Sequence, residues 1–301
     1  MSIIKNKFIF LTIAALLVVA SIVIVAVKGL NIGIEFTGGS VVEVSYDERP
    51  DTETINQALA SYDFRPSVQA FGEEGYIIRT RELSEADRGV LLAALNIDEQ
   101  APQVERLNTV GPSIGKEVRS KAFLAIALVV VAIILYIAFV FRKVSPGIEE
   151  DAEKIPSSWK YGFIAILALL HDIAIPIGVF ALFQIEISSL FVVGLLSILG
   201  LSVNDTIVVF DRIRENLTTN KEEKTKESFA ATVGRALRQT MARSINTSLT
   251  LLIVLGALLA VGPVAIQELA LVLLIGTFVG TYSSIFIASP LLVLWNKGEK
   301  A

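Results

Sequence analysis

The chain has 301 residues, 53% hydrophobic and 19% charged, with a formal net charge of −4. Its apolar residues gather into long blocks, and its mean hydropathy is +0.65. This excludes an ordinary soluble enzyme and points to a polytopic membrane protein, while zero cysteines exclude a disulfide-stapled ectodomain and thiolate chemistry.

The first apolar block covers residues 8–27, close to the roughly 20 residues that a spanning helix needs. Lys5 and Lys7 precede it, no small-residue cleavage site follows, and the expectation is a retained anchor, domain 1–27, instead of a cleaved signal peptide. Residues 28–121 read as a separate α+β domain. Within it, SVVEVSY at 40–46 alternates as a strand, 51–62 reads as a helix, and 67–71 and 76–81 are strands joined through Gly72 and Gly75. Ser84 then caps a helix with Asp87 at the N3 position of a capping box, and 104–110 returns extended. The order β-α-β-β-α-β predicts a ferredoxin-like split sheet with two helices on one face. The segment holds more Asp and Glu than Lys and Arg, which argues against nucleic acid as a partner. Two junctions bracket it. GIEFTGGS at 33–40 is glycine-rich without the spacing of a phosphate loop, and both a structural junction and a ligand contact stand as readings of it. VGPSIGKEV at 110–118 reads as a hinge or tight turn, with helix starting near Lys116.

Five more blocks follow, at 122–141, 161–183, 187–210, 244–261 and 269–295, so residues 122–301 hold spans two to six, with loops at 142–160 and 211–243. With six alternating spans, Lys5 and Lys7, then Arg142, Lys143, Lys154 and Lys160, then Arg212, Arg214, Arg235, Arg238 and Arg243, and finally Lys297 and Lys300 all fall on one side. Positive charge marks the cytoplasmic side, so both termini are expected there, with 28–121, 184–186 and 261–268 outside. The fold class is therefore a six-span α-helical membrane protein with one external ferredoxin-like domain between spans 1 and 2. The segment 229–241, with Val233, Leu237 and Met241 on one face, is expected to lie on the membrane face or a partner.

Asp205 stands inside an otherwise apolar span, where an ionised carboxylate needs a partner, water or a proton. Arg243 opens the next span, and antiparallel helices would bring the two to similar depth. An acid that alternates between proton and Arg is a coupling device; an ion pair to Arg212 or Arg243 that only fastens the bundle is the plainer reading. Asn204 and Thr206 flank Asp205, and Asn246, Thr247 and Thr250 would add a polar stripe, for function or for packing. Asp172 in the third span is a second candidate for the coupling ion, while its neighbour His171 is the one histidine and cannot complete a metal site. Pro176 deprives the Asp172 carbonyl of its helical donor, and Gly194 and Gly200 would admit close helix packing. No acid/base pair or nucleophile has a supporting shell, so the expectation is no enzyme and no cofactor.

These residues together resemble the SecD/SecF family of protein-export membrane proteins, on its SecF side, within the resistance-nodulation-division superfamily. The resemblance rests on Gly33, Glu35, Phe36, Thr37, Gly38 and Gly39 in GIEFTGGS, on Gly111, Pro112 and Gly115 in VGPSIGKEV, and on HD at 171–172, VNDTIVVFDRIREN at 203–216, with Asn204 and Thr206, and ARSINTSLT at 242–250. Glu35 stands where the family usually has Asp, and Ser40 where it often has Thr. The resemblance implies a multi-pass subunit of the cytoplasmic membrane that pairs with SecD and assists the SecYEG translocon, using the proton motive force to help secretory polypeptides cross. It further implies a YajC-like accessory subunit as a partner, and proton conduction involving Asp205 and Arg243. A proton-driven exporter of lipids or small hydrophobic compounds is the alternative, although such exporters need larger external domains than this one.

Overall fold

A computed structural model describes residues 2–97, 100–140 and 158–296. Along the chain the elements are α1 (Ser2–Lys5), α2 (Lys7–Lys28), α3 (Ile34–Thr37), β1 (Gly39–Ser45), α4 (Thr52–Leu59), β2 (Ser67–Phe71), β3 (Gly75–Thr80), α5 (Glu85–Ala94), β4 (Gln103–Val110), α6 (Pro112–Val140), α7 (Ser158–Phe183), α8 (Ser189–Glu222), α9 (Phe229–Val261), α10 (Val264–Ser283) and α11 (Ser289–Trp295). A π-helical turn, Ser284–Ala288, joins α10 to α11. The residues form two compact units, Ile32–Leu124 and the remainder.

In the unit Ile32–Leu124 the four strands make an antiparallel sheet in the order β2-β3-β1-β4, the arrangement expected of a ferredoxin-like split sheet. Central β1 pairs with β3 from Ser40↔Thr80 to Ser45↔Gly75 and with β4 on its other edge. Period-two alternation sends Val42 and Val44 into a core with Ile78, Ile55 and Leu59 of α4, and Leu91 and Leu95 of the α5 region. The buried Tyr46 hydroxyl donates to the Leu95 carbonyl at 2.9 Å, and burial together with Tyr76 pushes its ionisation up to about 12, so it stays a neutral donor.

The capping box at the start of α5 is formed: Asp87 N donates to Ser84 Oγ at 3.2 Å and Ser84 N donates to Asp87 Oδ2 at 3.3 Å. The backbone and hydroxyl of Ser84, and then Arg81, hold the Asp87 carboxyl below the usual carboxylate range. A carboxyl depressed in the folded state contributes stability at pH values above its unfolded value and loses that contribution as pH falls through its folded value. Ser84→Ala is expected to cost the domain about 1 kcal/mol. Amide exchange of α5 is expected to rise in the variant at neutral pH, and to rise in the wild type only in acid.

The two glycine-rich junctions pack on each other. Gly38 and Gly39 have φ of +75° and +129°. A Cβ on Gly38 would lie 2.8 Å from Pro112 Cα, and one on Gly115 would lie 2.8 Å from Gly38 N. Helix α6 begins at Pro112, earlier than the expected start near Lys116, because proline at the first helical position is preset in φ and lacks only an N–H that would be unbonded anyway. Ser40 is fully buried, shares a hydrogen bond with Thr109 at 2.8 Å and accepts from Leu83 N at 3.0 Å, so its hydroxyl ties β1 to β4 and to the lead-in of α5.

Among the described residues, six helices are long and apolar enough to cross a membrane, matching the six expected blocks. The helices of the fourth and fifth spans run well past their apolar parts, to Glu222 in α8 and from Phe229 in α9. The segment 229–241 is the first third of α9, and Phe229, Val233 and Leu237 are buried in a core shared with Phe210 and Ile213 of α8. This corrects the expectation of a membrane or partner face: the amphipathic stripe is covered by the chain's own α8 extension. Asn220, Glu227, Thr232 and Arg235 join the same two extensions through hydrogen bonds, with Arg235 paired to Glu227 at 2.8 Å.

Close helix approach depends on small residues. A methyl at Gly194 would overlap the Val272 side chain and one at Gly276 would overlap the Ile198 side chain, so each helix seats a side chain of the other in a glycine gap. Gly200, expected to serve the same role, faces open space. Pro290 in α11 has no N–H for the Phe286 carbonyl, and the preceding turn widens into the π-helical Ser284–Ala288. Arg142, Lys143, Lys154, Lys297 and Lys300, with residues 142–157 of the expected loop, lie outside the described residues.

Candidate functional site

Helical spacing in α8 puts Leu201, Ser202 and Asp205 on one face, since residues three and four apart are neighbours. That face meets α9 and α10 around a cleft of about 50 Å³ lined by Ser202, Asn204 and Asp205 of α8, Thr247 and Ser248 of α9, and Gly276, Thr277, Gly280 and Thr281 of α10. Leu201 and Leu251 complete the lining, whose surface is mostly apolar with hydroxyls from three helices set into it, and the volume would hold a few waters. Asp205 is half-buried at its edge, Asn204 is exposed, and Thr206, on the opposite side of Asp205, is buried in the bundle.

Arg243 lies in α9, exposed, within electrostatic reach of Asp205. Among the described residues no ion pair closes between them. The fastening reading of Asp205 finds no support from Arg212 either, which instead pairs with Glu215 at 2.6 Å and donates to Gln239 at 2.9 Å. Thr247 donates to the Arg243 carbonyl at 2.8 Å and Thr250 to backbone carbonyls of its own helix, while Thr281 donates to Ser248 at 2.6 Å across the α9–α10 contact. The arrangement is an acid with a basic neighbour in electrostatic reach, at the edge of a cleft that carries hydroxyls from three helices. Protonation and deprotonation of the acid change its attraction to the guanidinium, which is chemistry enough for a coupling device.

Asp172 stands one layer behind the cleft and is 0% exposed. It accepts from Ser283 Oγ at 2.6 Å and from Ser202 Oγ, and its other oxygen faces His171 Nδ1 at 2.8 Å. The helix stays unbroken through Pro176. Sequence reasoning identified Asp172 and Asp205 but not the hydroxyls that join their surroundings: Ser283, Thr277 and Thr281 come from α10, where they read as ordinary small residues. The available signal was the run Gly280–Ser284, GTYSS, with Thr277 and Thr281 at i, i+4 on one helix face. The signature residues Gly33, Glu35, Phe36, Thr37, Gly38, Gly39, Gly111, Pro112 and Gly115 belong to the other unit, where Gly33 caps α3, Phe36 is buried and Thr37 donates to the Gly33 carbonyl at 3.2 Å.

Two family models match the chain: protein export membrane protein SecD/SecF, C-terminal, over residues 92–148 and 155–298, and the SecD/SecF GG motif over residues 23–48. A protein translocase subunit SecF from Thermobaculum terrenum is 36% identical over 99% of this chain and 94% of that protein. A protein translocase subunit SecDF from Thermus thermophilus is 35% identical over 97% of this chain, which spans 38% of that longer protein. The crystal structure of SecDF from the same organism, titled a translocon-associated membrane protein, superposes with a TM-score of 0.84 at 32% identity, covering 98% of this chain and 38% of that one. By sequence along nearly its whole length and by fold, the chain belongs to the SecD/SecF family of protein export membrane proteins.

Proposed function

We propose that this chain is a SecF-type accessory subunit of the Sec protein translocase that pairs with SecD, works beside SecYEG on translocating secretory polypeptides, and draws on the proton motive force through Asp205 and Arg243. The observation that carries this reading is the half-buried Asp205 at the edge of a hydroxyl-bearing cleft, with Arg243 in reach and no ion pair between them among the described residues. Such an acid stays poised between a proton and a guanidinium, and helix movement shifts the balance. The role is one of energy coupling, without covalent catalysis.

Pairing with SecD is supported by α9. Arg243, Asn246, Thr247 and Thr250 are exposed along it, together with Ile245, Leu249, Ile253 and Val254. Polar groups facing hydrocarbon are costly, and a partner span that covers them removes that cost. The clustering of Arg212, Arg214, Arg235, Arg238 and Arg243 on the α8 and α9 extensions supports a cytoplasmic location for that end, with both termini cytoplasmic and the sheet unit, Ile32–Leu124, outside. A YajC-like subunit joins the same assembly. Relatives that are protein translocase subunits support export of protein, and not the alternative of lipid or small-molecule export.

Arg243→Ala tests the reading in cells depleted of the native chain. Precursor export is expected to fall towards the depleted level with membrane abundance unchanged, and SecD co-purification at most weakened. Wild-type export by this variant would remove Arg243 from the coupling device.

A further inference from the structure

Outside the Asp205 cleft, His171 and Asp172 form a second buried titratable cluster. Both are deeply buried, at 5% and 0% exposure, near the middle of α7, about 20 Å of helix rise from one end and 16 Å from the other. The carboxylate has a donor on each oxygen: hydroxyls from two other helices on Oδ2 and His171 Nδ1 on Oδ1. The other imidazole nitrogen, Nε2, is buried without a hydrogen-bond partner among the described residues, with the Tyr282 ring stacked 6.1 Å away. A structural clamp for Asp172 needs only the two serines. A histidine that spends one nitrogen on the carboxylate and leaves the other dry is an unusual clamp, because its buried polar atom costs stability.

Among the described residues no charged group compensates the pair. From α2 the residues between Lys7 and Lys28 carry none; from α10 the titratable groups are Glu268, far along the helix and bonded to Ser188, and Tyr282, whose hydroxyl donates to the Phe10 carbonyl; the π-helical turn and α11 carry none; and from α8 the nearest is Asp205, one turn beyond Ser202. A buried carboxylate beside a neutral imidazole would leave an uncompensated negative charge in the bundle. One additional proton on the pair removes it, whether as carboxylic acid with imidazole or as carboxylate with imidazolium.

We infer that His171 and Asp172 hold one exchangeable proton between them, a second proton station in the membrane, loaded from the Asp205 cleft through the Ser202 hydroxyl. Among the described residues Ser202 is the one side chain that both lines the cleft and bonds Asp172. In the transfer, the Asp205 carboxyl releases its proton to water in the cleft. Ser202 Oγ takes a proton from that water while its own hydroxyl proton passes to Asp172 Oδ2. Asp205 is left as carboxylate facing Arg243, Asp172 is neutralised, and the sum of charges is unchanged. Ser283 remains bonded to Oδ2 and keeps the carboxyl oriented. The inference deepens the proton-coupling reading of Asp205 and rests on it for the direction of loading, but the shared proton is a property of the pair itself.

Because the chain has one histidine, ¹⁵N-histidine labelling reports on a single imidazole through its two ring nitrogens. The full chain in lipid nanodiscs is scanned in pH by NMR, with infrared detection of buried carboxyl protonation and of its hydrogen–deuterium exchange. The expected result is that the imidazole nitrogens and an Asp172 carboxyl band change in one joint transition. Asp172→Asn removes the band and uncouples the histidine. Ser202→Ala keeps the joint transition but slows exchange of the Asp172 proton about tenfold, since one relay hydrogen bond is gone. A carboxyl band that titrates independently of the imidazole overturns the shared proton, and wild-type exchange in Ser202→Ala overturns the route. If Asp172→Asn fails to insert, the wild-type scan and Ser202→Ala decide alone. Asp205→Asn separates the two readings: normal export by that variant sinks the coupling role of Asp205 and leaves the joint transition standing, whereas lost export with no joint transition in the wild type sinks only the second station.

Discussion

Asp205→Asn, carried by the full chain in cells depleted of the native copy, is expected to leave precursor accumulation at the depleted level while membrane abundance and SecD association stay normal. The substitution is nearly isosteric and keeps a polar group at the edge of the cleft, where hydroxyls from three helices accommodate an amide as well as a carboxyl. It removes only the capacity to gain and lose a proton and, with it, the changing attraction to Arg243. Packing gives no reason for loss of function: Asp205 is half-buried and closes no ion pair among the described residues. Asp205→Glu keeps a titratable acid one methylene further into the cleft, and its expected export is intermediate. Pulse-labelled precursor processing measures all three, and full export by Asp205→Asn would return Asp205 to a packing role.

Gly39→Ala is expected to have the largest effect on the sheet unit, about 3 kcal/mol or more, from two independent causes. At φ of +129° an L side chain is strained, at a cost of order 1–3 kcal/mol. Its Cβ would also sit 2.6 Å from the Thr80 carbonyl oxygen, and that backbone is held by the Ser40↔Thr80 pairing of β1 with β3. Neither atom yields without opening the ladder. Gly72→Ala provides the contrast: φ is +60° there too, but open space surrounds it, so only the conformational cost of about 1 kcal/mol remains. Amide exchange of β1 and β3 in the full chain separates the two, and equal exchange in both variants would show that the close approach at Gly39 carries no energy.

The elements that depend on local pattern were readable in the chain itself. Six apolar blocks announced six helices, and the alternation at 40–46 with the Ser84–Asp87 spacing announced the strand and the capping box. What the sequence withheld depends on which surfaces meet. The stripe of Phe229, Val233 and Leu237 has the period of an amphipathic helix, but period does not say what covers it, and the cover proved to be α8 of the same chain. Gly194 and Gly200 look alike in sequence; only the crossing of α8 with α10 makes one a contact and leaves the other open. For the same reason Asp172 and Asp205, 33 residues apart, were legible as single acids, whereas their link through Ser202, and the support of Ser283, came only with three helices in place.

The central claim, that a proton at Asp205 is coupled to movement of polypeptide, is tested most directly in inverted membrane vesicles carrying the wild-type chain or Asp205→Asn at equal abundance with SecD and SecYEG. An imposed proton gradient is applied after a precursor has been partly translocated. The gradient is expected to speed completion in wild-type vesicles and to leave the Asp205→Asn rate unchanged. An Asp205→Asn rate that responds to the gradient as the wild type does would contradict it.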